Sequence, residues 1–447
     1  MSTPEAEAEA EADRPGRLLA RVGPPVLSQA ITAGTSLLLQ VVAAHTLELP
    51  EFGAFALFLA LLVSASALHT GFVGDGLVVL DRHDPDVRAG LAASAGAGLL
   101  LAGAVGIGAA LVIGSGDPAV ALLYPAMLVL WLVEETVRRL LVARRWFWRL
   151  VGNDVAYLVG TALALGAGWA WAGAVSLPLL FAAMAVGAVT AVGVGVLQLP
   201  RAELRVPRPR LAALPRVVSF AGWRALQAAL RPAALLAARA LVANLVSLAA
   251  VGVLEAGRLV VAPLQVVVNG VGTFLLSAFA ARARSGRTRP DRASRAALLL
   301  TAGTAAGGGL LALLAAPLGR LLTGEPAGSW LVLGWVAYLV VWSAGLPYVA
   351  LAVAARLTRA VFTARAADSL LGVALAAAAL ALGAPLAAVP WLMAAGGLYS
   401  VWRLRAHTSR PTAPLASTQQ FRQDPREPTA PPEPFRRSPS CPSHPPP

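Results

Sequence analysis

From Val22 to the neighbourhood of Trp402 the chain alternates long apolar runs with short gaps that hold most of its arginine. A run of about 20 apolar residues is the length of a helix that crosses the hydrocarbon core of a bilayer. In that core each backbone N–H and C=O must find a partner inside the chain, so the runs are expected to be helices. They fall at Val22–Thr46, Phe52–Val73, Leu91–Ile113, Ala119–Val137, Val151–Trp171, Ala174–Leu199, Val217–Ala243, Ala250–Ala280, Ala296–Leu318 and Ser329–Ala354. Two further runs follow, punctuated by Pro385 and Pro390. The expected fold class is all-α: a polytopic integral membrane protein with about twelve transmembrane helices in two six-helix lobes.

Composition agrees, since 57% of the 447 residues are hydrophobic and 13% are charged, about half the charged share of a soluble domain. A net charge of +13 would suggest nucleic acid in a soluble chain. Here the arginines sit between apolar runs, where they orient helices, and nucleic acid is not expected as a partner. The absence of lysine, with the excess of Ala, Gly and Pro, reflects coding bias and says nothing about mechanism. The single cysteine, Cys441, lies in the Pro-rich tail, so neither an intrachain disulfide nor a cysteine metal site is expected, and no metal or other cofactor is implied. Gly103, Gly106 and Gly108 imitate a dinucleotide fingerprint, but in an apolar run small residues let helices approach closely.

Arginine is distributed unevenly among the gaps. Three precede the first run; two, five, five, six and three occupy the even gaps; seven follow the twelfth run; the odd gaps hold only Arg320. This asymmetry places both termini and every even gap on the cytoplasmic side of the cell membrane. Met1 to Asp13 lacks the basic start of a signal peptide, so the first helix is expected to remain attached. The expected organisation is a disordered acidic N-terminal tail (1–21), an N-terminal lobe (22–200), a cytoplasmic linker (201–216), a C-terminal lobe (217–405) and a disordered Pro-rich tail (406–447).

Charges inside the runs mark the candidate site. An ionised side chain near the middle of a membrane helix costs about 2.5 to 3.5 kcal/mol and usually faces a bundle interior or aqueous cavity. The seventh run carries Arg224, Gln227, Arg231 and Arg239, spaced to share one face, with Pro232 after the central arginine. The eighth carries Glu255 and Arg258 at ion-pairing distance, then Pro263, Gln265 and Asn269. Pro232 and Pro263 each remove a backbone donor and are candidate hinges. In the first run Ser28, Thr32, Ser36 and Gln40 recur every four residues with Gln29 beside them; this face either bonds other helices or walls a cavity. Glu134, Glu135, Arg138 and Arg139 form two opposite-charge pairs at one helix end, read as structural pairs or a gate at the interface.

The halves echo each other. "LPEFGAFALFLALL" (Leu49 to Leu62) joins the first two helices and "LAAVGVLEAGRLVVAPL" (Leu248 to Leu264) the seventh and eighth, aligning Gly53 with Gly252. Asp154 and Asp368 open helices five and eleven. Two six-helix repeats of this kind are parallel in the membrane.

With "EETVRRLLVARR" (Glu134 to Arg145), "NDVAYLVG" and "GVLEAGRLVVAPLQVVVNGV" (Gly252 to Val271), this plan resembles the polysaccharide flippases of the multidrug/oligosaccharidyl-lipid/polysaccharide exporter superfamily, across Arg17 to Arg405. The resemblance implies a central cavity lined by helices one, two, seven and eight. It would assign Arg224, Arg231 and Arg258 to the phosphate of a polyprenyl pyrophosphate-linked oligosaccharide, and Gln29, Gln40, Gln265 and Asn269 to its sugars. The implied partners are the lipid bilayer, that lipid and other polysaccharide assembly proteins. A multidrug exporter of the same fold is the second reading, disfavoured because Glu255 is the one acid well inside the central helices. A membrane-embedded glycan-processing enzyme ranks last, because the odd gaps are too short for an external catalytic domain; the chain is expected not to be an enzyme.

Overall fold

A computed structural model describes residues 15–80, 84–114, 116–204, 210, 213–284, 290–355 and 357–409. Twelve long helices account for most of them: α1 (Pro15–Thr46), α2 (Leu49–His69), α3 (Pro85–Ile113), α4 (Pro118–Ala143), α5 (Phe147–Ala172), α6 (Leu177–Gln198), α7 (Leu214–Leu245), α8 (Leu248–Arg284), α9 (Pro290–Leu313), α10 (Ser329–Ala354), α11 (Thr358–Ala381) and α12 (Ala388–Ser409). Among the described residues, eleven of these helices, all but α12, are long and apolar enough to cross a membrane. The chain is a multi-pass all-α membrane protein.

Local chemistry sets the helix ends. The Asp84 and Asp117 carboxylates accept the N–H groups of Asp86 and Ala119, each at 2.8 Å, in front of a proline that needs no partner for its own nitrogen. Gly173, at φ 73°, closes α5 in the left-handed region that a side chain would disfavour.

Several boundaries differ from the hydropathy reading. α1 begins at Pro15, ahead of Val22, and runs through Pro24 and Pro25. α2 passes into a π-helical turn, Thr70–Gly74, and a further helical turn, Asp75–Val79. The expected ninth helix divides: α9 stops at Leu313, and a separate amphipathic helix, Ala315–Thr323, precedes α10. In the expected linker 201–216, Arg201–Leu204 forms a short helix and α7 already starts at Leu214. α12 continues to Ser409, past the Ala406 start of the expected tail. The tail assignments at 1–14 and 410–447 lie outside the described residues.

Each half has its own main buried cluster, with Leu259 entering the first and Ala56 and Leu57 the second. In the first half Phe58 packs on Tyr124 (4.3 Å between centroids) and edge-on against Phe181 (5.2 Å), and the Tyr124 hydroxyl donates to the Phe58 carbonyl at 2.9 Å, binding α2, α4 and α6 together. In the second half the Trp335 indole donates to the Leu254 carbonyl at 3.0 Å among Val251, Leu254 and Val332, joining α8 and α10. The halves meet where the repeat aligned them. A Cβ on Gly252 would lie 2.5 Å from the Leu49 carbonyl oxygen, and one on Gly53 would strike the Leu248 carbonyl. α2 and α8 therefore touch backbone to backbone beside the α1–α2 and α7–α8 loops, a contact only glycine permits.

Candidate functional site

Between the halves lies a cavity of about 320 Å³. α1 contributes Gln29, Thr32, Ser36 and Gln40; α7 contributes Pro232 and Arg239; α8 contributes Glu255, Arg258 and Gln265. Trp131 and Tyr157, packed edge-to-face at 5.0 Å, form part of an apolar wall.

Glu255 organises the charges. Its Oε2 accepts Arg239 Nη2 at 2.8 Å and Nε at 3.1 Å, and its Oε1 pairs with Arg258. Arg258 also donates through Nη2 to Gln40 Oε1 at 2.6 Å, and Gln40 donates to the Ser36 carbonyl at 3.0 Å. A hydrogen-bonded line thus runs from α7 through α8 to α1, crossing from one half to the other. Two guanidiniums share one carboxylate, leaving a surplus positive charge on the cavity wall. The Glu255 side chain is 3% exposed and the Arg258 side chain 16%, so Arg258 is the member of the cluster open to a ligand.

The Glu255–Arg258 pair is as expected from its spacing. Arg239 is the residue that sequence reasoning left out of the site. The four polar residues of α7 do not share one face, because the eight residues from Arg231 to Arg239 advance the helix by two turns and about 80°. Arg231 is accordingly not between the halves. It lines a second cavity, about 270 Å³, enclosed by α7, α10, α11 and α12 of the second half, with Gln227 on the same wall. Its guanidinium carbon lies 3.6 Å from the Trp342 ring centroid, and its Nε donates to the Tyr338 hydroxyl at 3.2 Å. Arg365 stacks on the same indole at 4.0 Å. Two like charges within about 8 Å repel by about 2 kcal/mol at an effective dielectric of 20. Their one carboxylate neighbour among the described residues is Asp368, 3.9 Å from Arg365.

Arg224 also leaves the interlobe cavity: half exposed, it pairs with Asp75 at 2.9 Å, near the far end of α2. Asn269 is one turn beyond Gln265 on α8 and is not among the residues lining the cavity. Pro232 and Pro263 are inside continuous helices, Pro232 on the cavity wall.

The polar stripe of α1 has two destinations. A four-residue repeat drifts about 40° per step on a helix of 3.6 residues per turn, so Gln40 is rotated by about 120° from Ser28. Ser28 accordingly turns into the first half, where its hydroxyl donates to Asp154. Arg138 donates to Asp154 at 2.8 Å, to Glu135 at 2.8 Å and to Thr32 at 3.3 Å, and lies 3.6 Å from Glu134. Arg139 pairs with Glu135 at 2.7 Å. The expected four-residue pairs are present, but Glu134 and Glu135 are buried rather than interfacial. α4, α5 and α1 converge on them, so this is a structural network in which three carboxylates enclose two arginines.

No protein-family model and no curated protein matches the chain. Solved structures share its fold. An inward-facing multidrug resistance MATE family transporter of the MOP superfamily superposes with a TM-score of 0.65 at 14% identity, over 86% of this chain and 96% of that one. The lipid II flippase MurJ, in an inward closed conformation, gives 0.62 at 12% identity over 86% of each chain. A MOP superfamily transporter from Pyrococcus furiosus, described as having a binding pocket of reverse polarity, gives 0.56 at 14% identity over 86% of this chain and 93% of that one. At these identities the likeness establishes the fold.

Proposed function

We propose that the chain is a transporter of the MOP type that moves a lipid-linked oligosaccharide across the cytoplasmic membrane for surface polysaccharide assembly, with both termini cytoplasmic. The observation that carries this reading is the surplus positive charge between the halves, where Arg239 and Arg258 share Glu255 beside Gln29, Gln40 and Gln265. A pyrophosphate-linked sugar cannot leave water for hydrocarbon unaided, because the charged head group loses its hydration. A guanidinium with amides around it replaces that hydration by charge-assisted and neutral hydrogen bonds. The lipid tail remains in the bilayer while the head group traverses the cavity. The Gly53–Gly252 contact lies about one turn from Ala56 and Glu255 on the cavity wall, and in this reading it is the closure at one end, whose separation, with closure of the other end, gives alternating access.

Export of cationic drugs, which the MATE-like fold also accommodates, calls for acidic groups facing the ligand. Glu255 is occupied by two arginines. The test is replacement of the chromosomal gene by Arg258→Ala, with membrane abundance matched to wild type. Loss of surface polysaccharide without change in drug susceptibility supports the flippase. Intact polysaccharide with increased sensitivity to cationic drugs overturns it in favour of the exporter.

A further inference from the structure

The repeat that aligns Gly53 with Gly252 also aligns Thr32 with Arg231, and the two halves treat these equivalent places differently. In the first half Thr32, Trp131, Arg138 and Asp154 surround a space of only about 10 Å³. There Arg138 has three carboxylates around it, and the Trp131 indole donates to Ser66 at 2.8 Å. In the second half Arg231, Trp342, Arg365 and Asp368 line about 270 Å³. Two arginines there have one carboxylate near them, at 3.9 Å from Arg365. The Trp342 ring lines this cavity, and its indole N–H is buried without an acceptor among the described residues.

We propose that this second-half cavity is an anion site, holding one monovalent anion between Arg231 and Arg365 beside the Trp342 ring. The charge balance selects the class: two guanidiniums and one carboxylate leave a single positive charge, and a monoanion makes the group neutral. The geometry suits it, since stacking on an indole occupies the guanidinium faces and leaves their N–H edges to bind in plane. A cation there would face two like charges. The site also adjoins the transport path. Arg231 precedes Pro232, which lines the interlobe cavity, so an occupant would hold α7 at the point where its hydrogen-bond ladder is interrupted. An inorganic anion and the phosphodiester of an acidic lipid share this chemistry.

The experiment measures the unfolding temperature of the purified full-length protein in uncharged detergent, at constant ionic strength, in sodium gluconate, chloride, bromide and phosphate. A second arm compares nanodiscs of phosphatidylcholine with nanodiscs containing phosphatidylglycerol, both in gluconate. A saturable rise with a small inorganic anion identifies a free ion; a rise confined to phosphatidylglycerol identifies the lipid headgroup. Either rise is expected to vanish in Arg231→Gln and Arg365→Gln and to persist in Arg258→Ala. Bromide located crystallographically beside Trp342 supports the free-ion form even where an arginine variant fails to fold. Unfolding that is indifferent to every anion and both lipids overturns the proposal, as does a shift retained in Arg231→Gln and lost in Arg258→Ala.

Discussion

Replacing Glu255 by glutamine should destabilise the protein through charge rather than shape. The side chain is 3% exposed and pairs with both Arg239 and Arg258, whose side chains are 10% and 16% exposed. Glutamine keeps the volume and one acceptor but leaves two guanidiniums facing each other. At a separation of about 6 Å and an effective dielectric of 20 their repulsion is about 3 kcal/mol. Each charge-assisted hydrogen bond lost adds about 1.5 to 3 kcal/mol before relaxation. Breaking a buried pair by removing one partner costs about 3 to 5 kcal/mol in total, and we expect Glu255→Gln to fall in that range. Unfolding in mixed micelles, followed by circular dichroism, supplies the assay. The double variant Arg239→Gln/Glu255→Gln restores the wild-type net charge at the site, so it should be more stable than Glu255→Gln alone, with a coupling of about 2 kcal/mol or more. Unchanged stability of Glu255→Gln, or strictly additive single effects, would refute this electrostatic account.

Three further outcomes are expected. Arg138→Ala strands Asp154 and Glu134, while Glu135 keeps Arg139, and should destabilise the protein by about 3 to 5 kcal/mol, whereas Arg139→Ala, with one carboxylate partner and a side chain 31% exposed, should cost about 1 kcal/mol; equal losses in the same unfolding assay would contradict the network. Gly252→Val forces a side chain against the Leu49 carbonyl and should cost about 1 to 3 kcal/mol, while making single cysteines introduced along α2 and α8 in a Cys441→Ser background more reactive to an impermeant thiol reagent; labelling equal to that of the same cysteines without Gly252→Val would mean that this contact does not close the cavity. In a Cys441→Ser background, cysteines at Gly116 and Gly173 should react from outside intact cells and one at Gly286 should not, the reverse pattern overturning the orientation.

Much of the architecture was legible because the bilayer restricts the chain so strongly. Long apolar runs specified helices, and the parallel placement of Gly53 and Gly252 predicted a repeat whose two glycines now prove to touch. Glu255 and Arg258 were legible as a pair because they are one turn apart on one helix. Azimuth was harder to read. Arg231 and Pro232 are neighbours in sequence but about 100° apart around α7, so one lines the second-half cavity and the other the interlobe cavity. The same drift carried Ser28 to Asp154 and Gln40 to Arg258, dividing a stripe that the four-residue spacing presented as one wall. Arg239 stays out of the ligand-binding set read from the sequence, because its partner is 16 residues away on the next helix. Nothing in the local pattern announced the π-helical turn at Thr70–Gly74, where Gly71 packs against the backbone of Ala225 on α7. Burial of Glu134 and Glu135 depends on α1 and α5 closing over the end of α4, which no spacing within α4 encodes.

The claim on which the functional reading rests is that the interlobe cavity receives an anionic head group at Arg258. Native mass spectrometry of the detergent-purified protein with undecaprenyl pyrophosphate, in competition with the cationic drug ethidium, measures it directly. Retention of the polyprenyl pyrophosphate by wild type, a loss of about tenfold or more in Arg258→Ala and no retention of ethidium are the predicted result. Equal retention of the pyrophosphate by wild type and Arg258→Ala, or preference of the wild-type protein for ethidium, would contradict it.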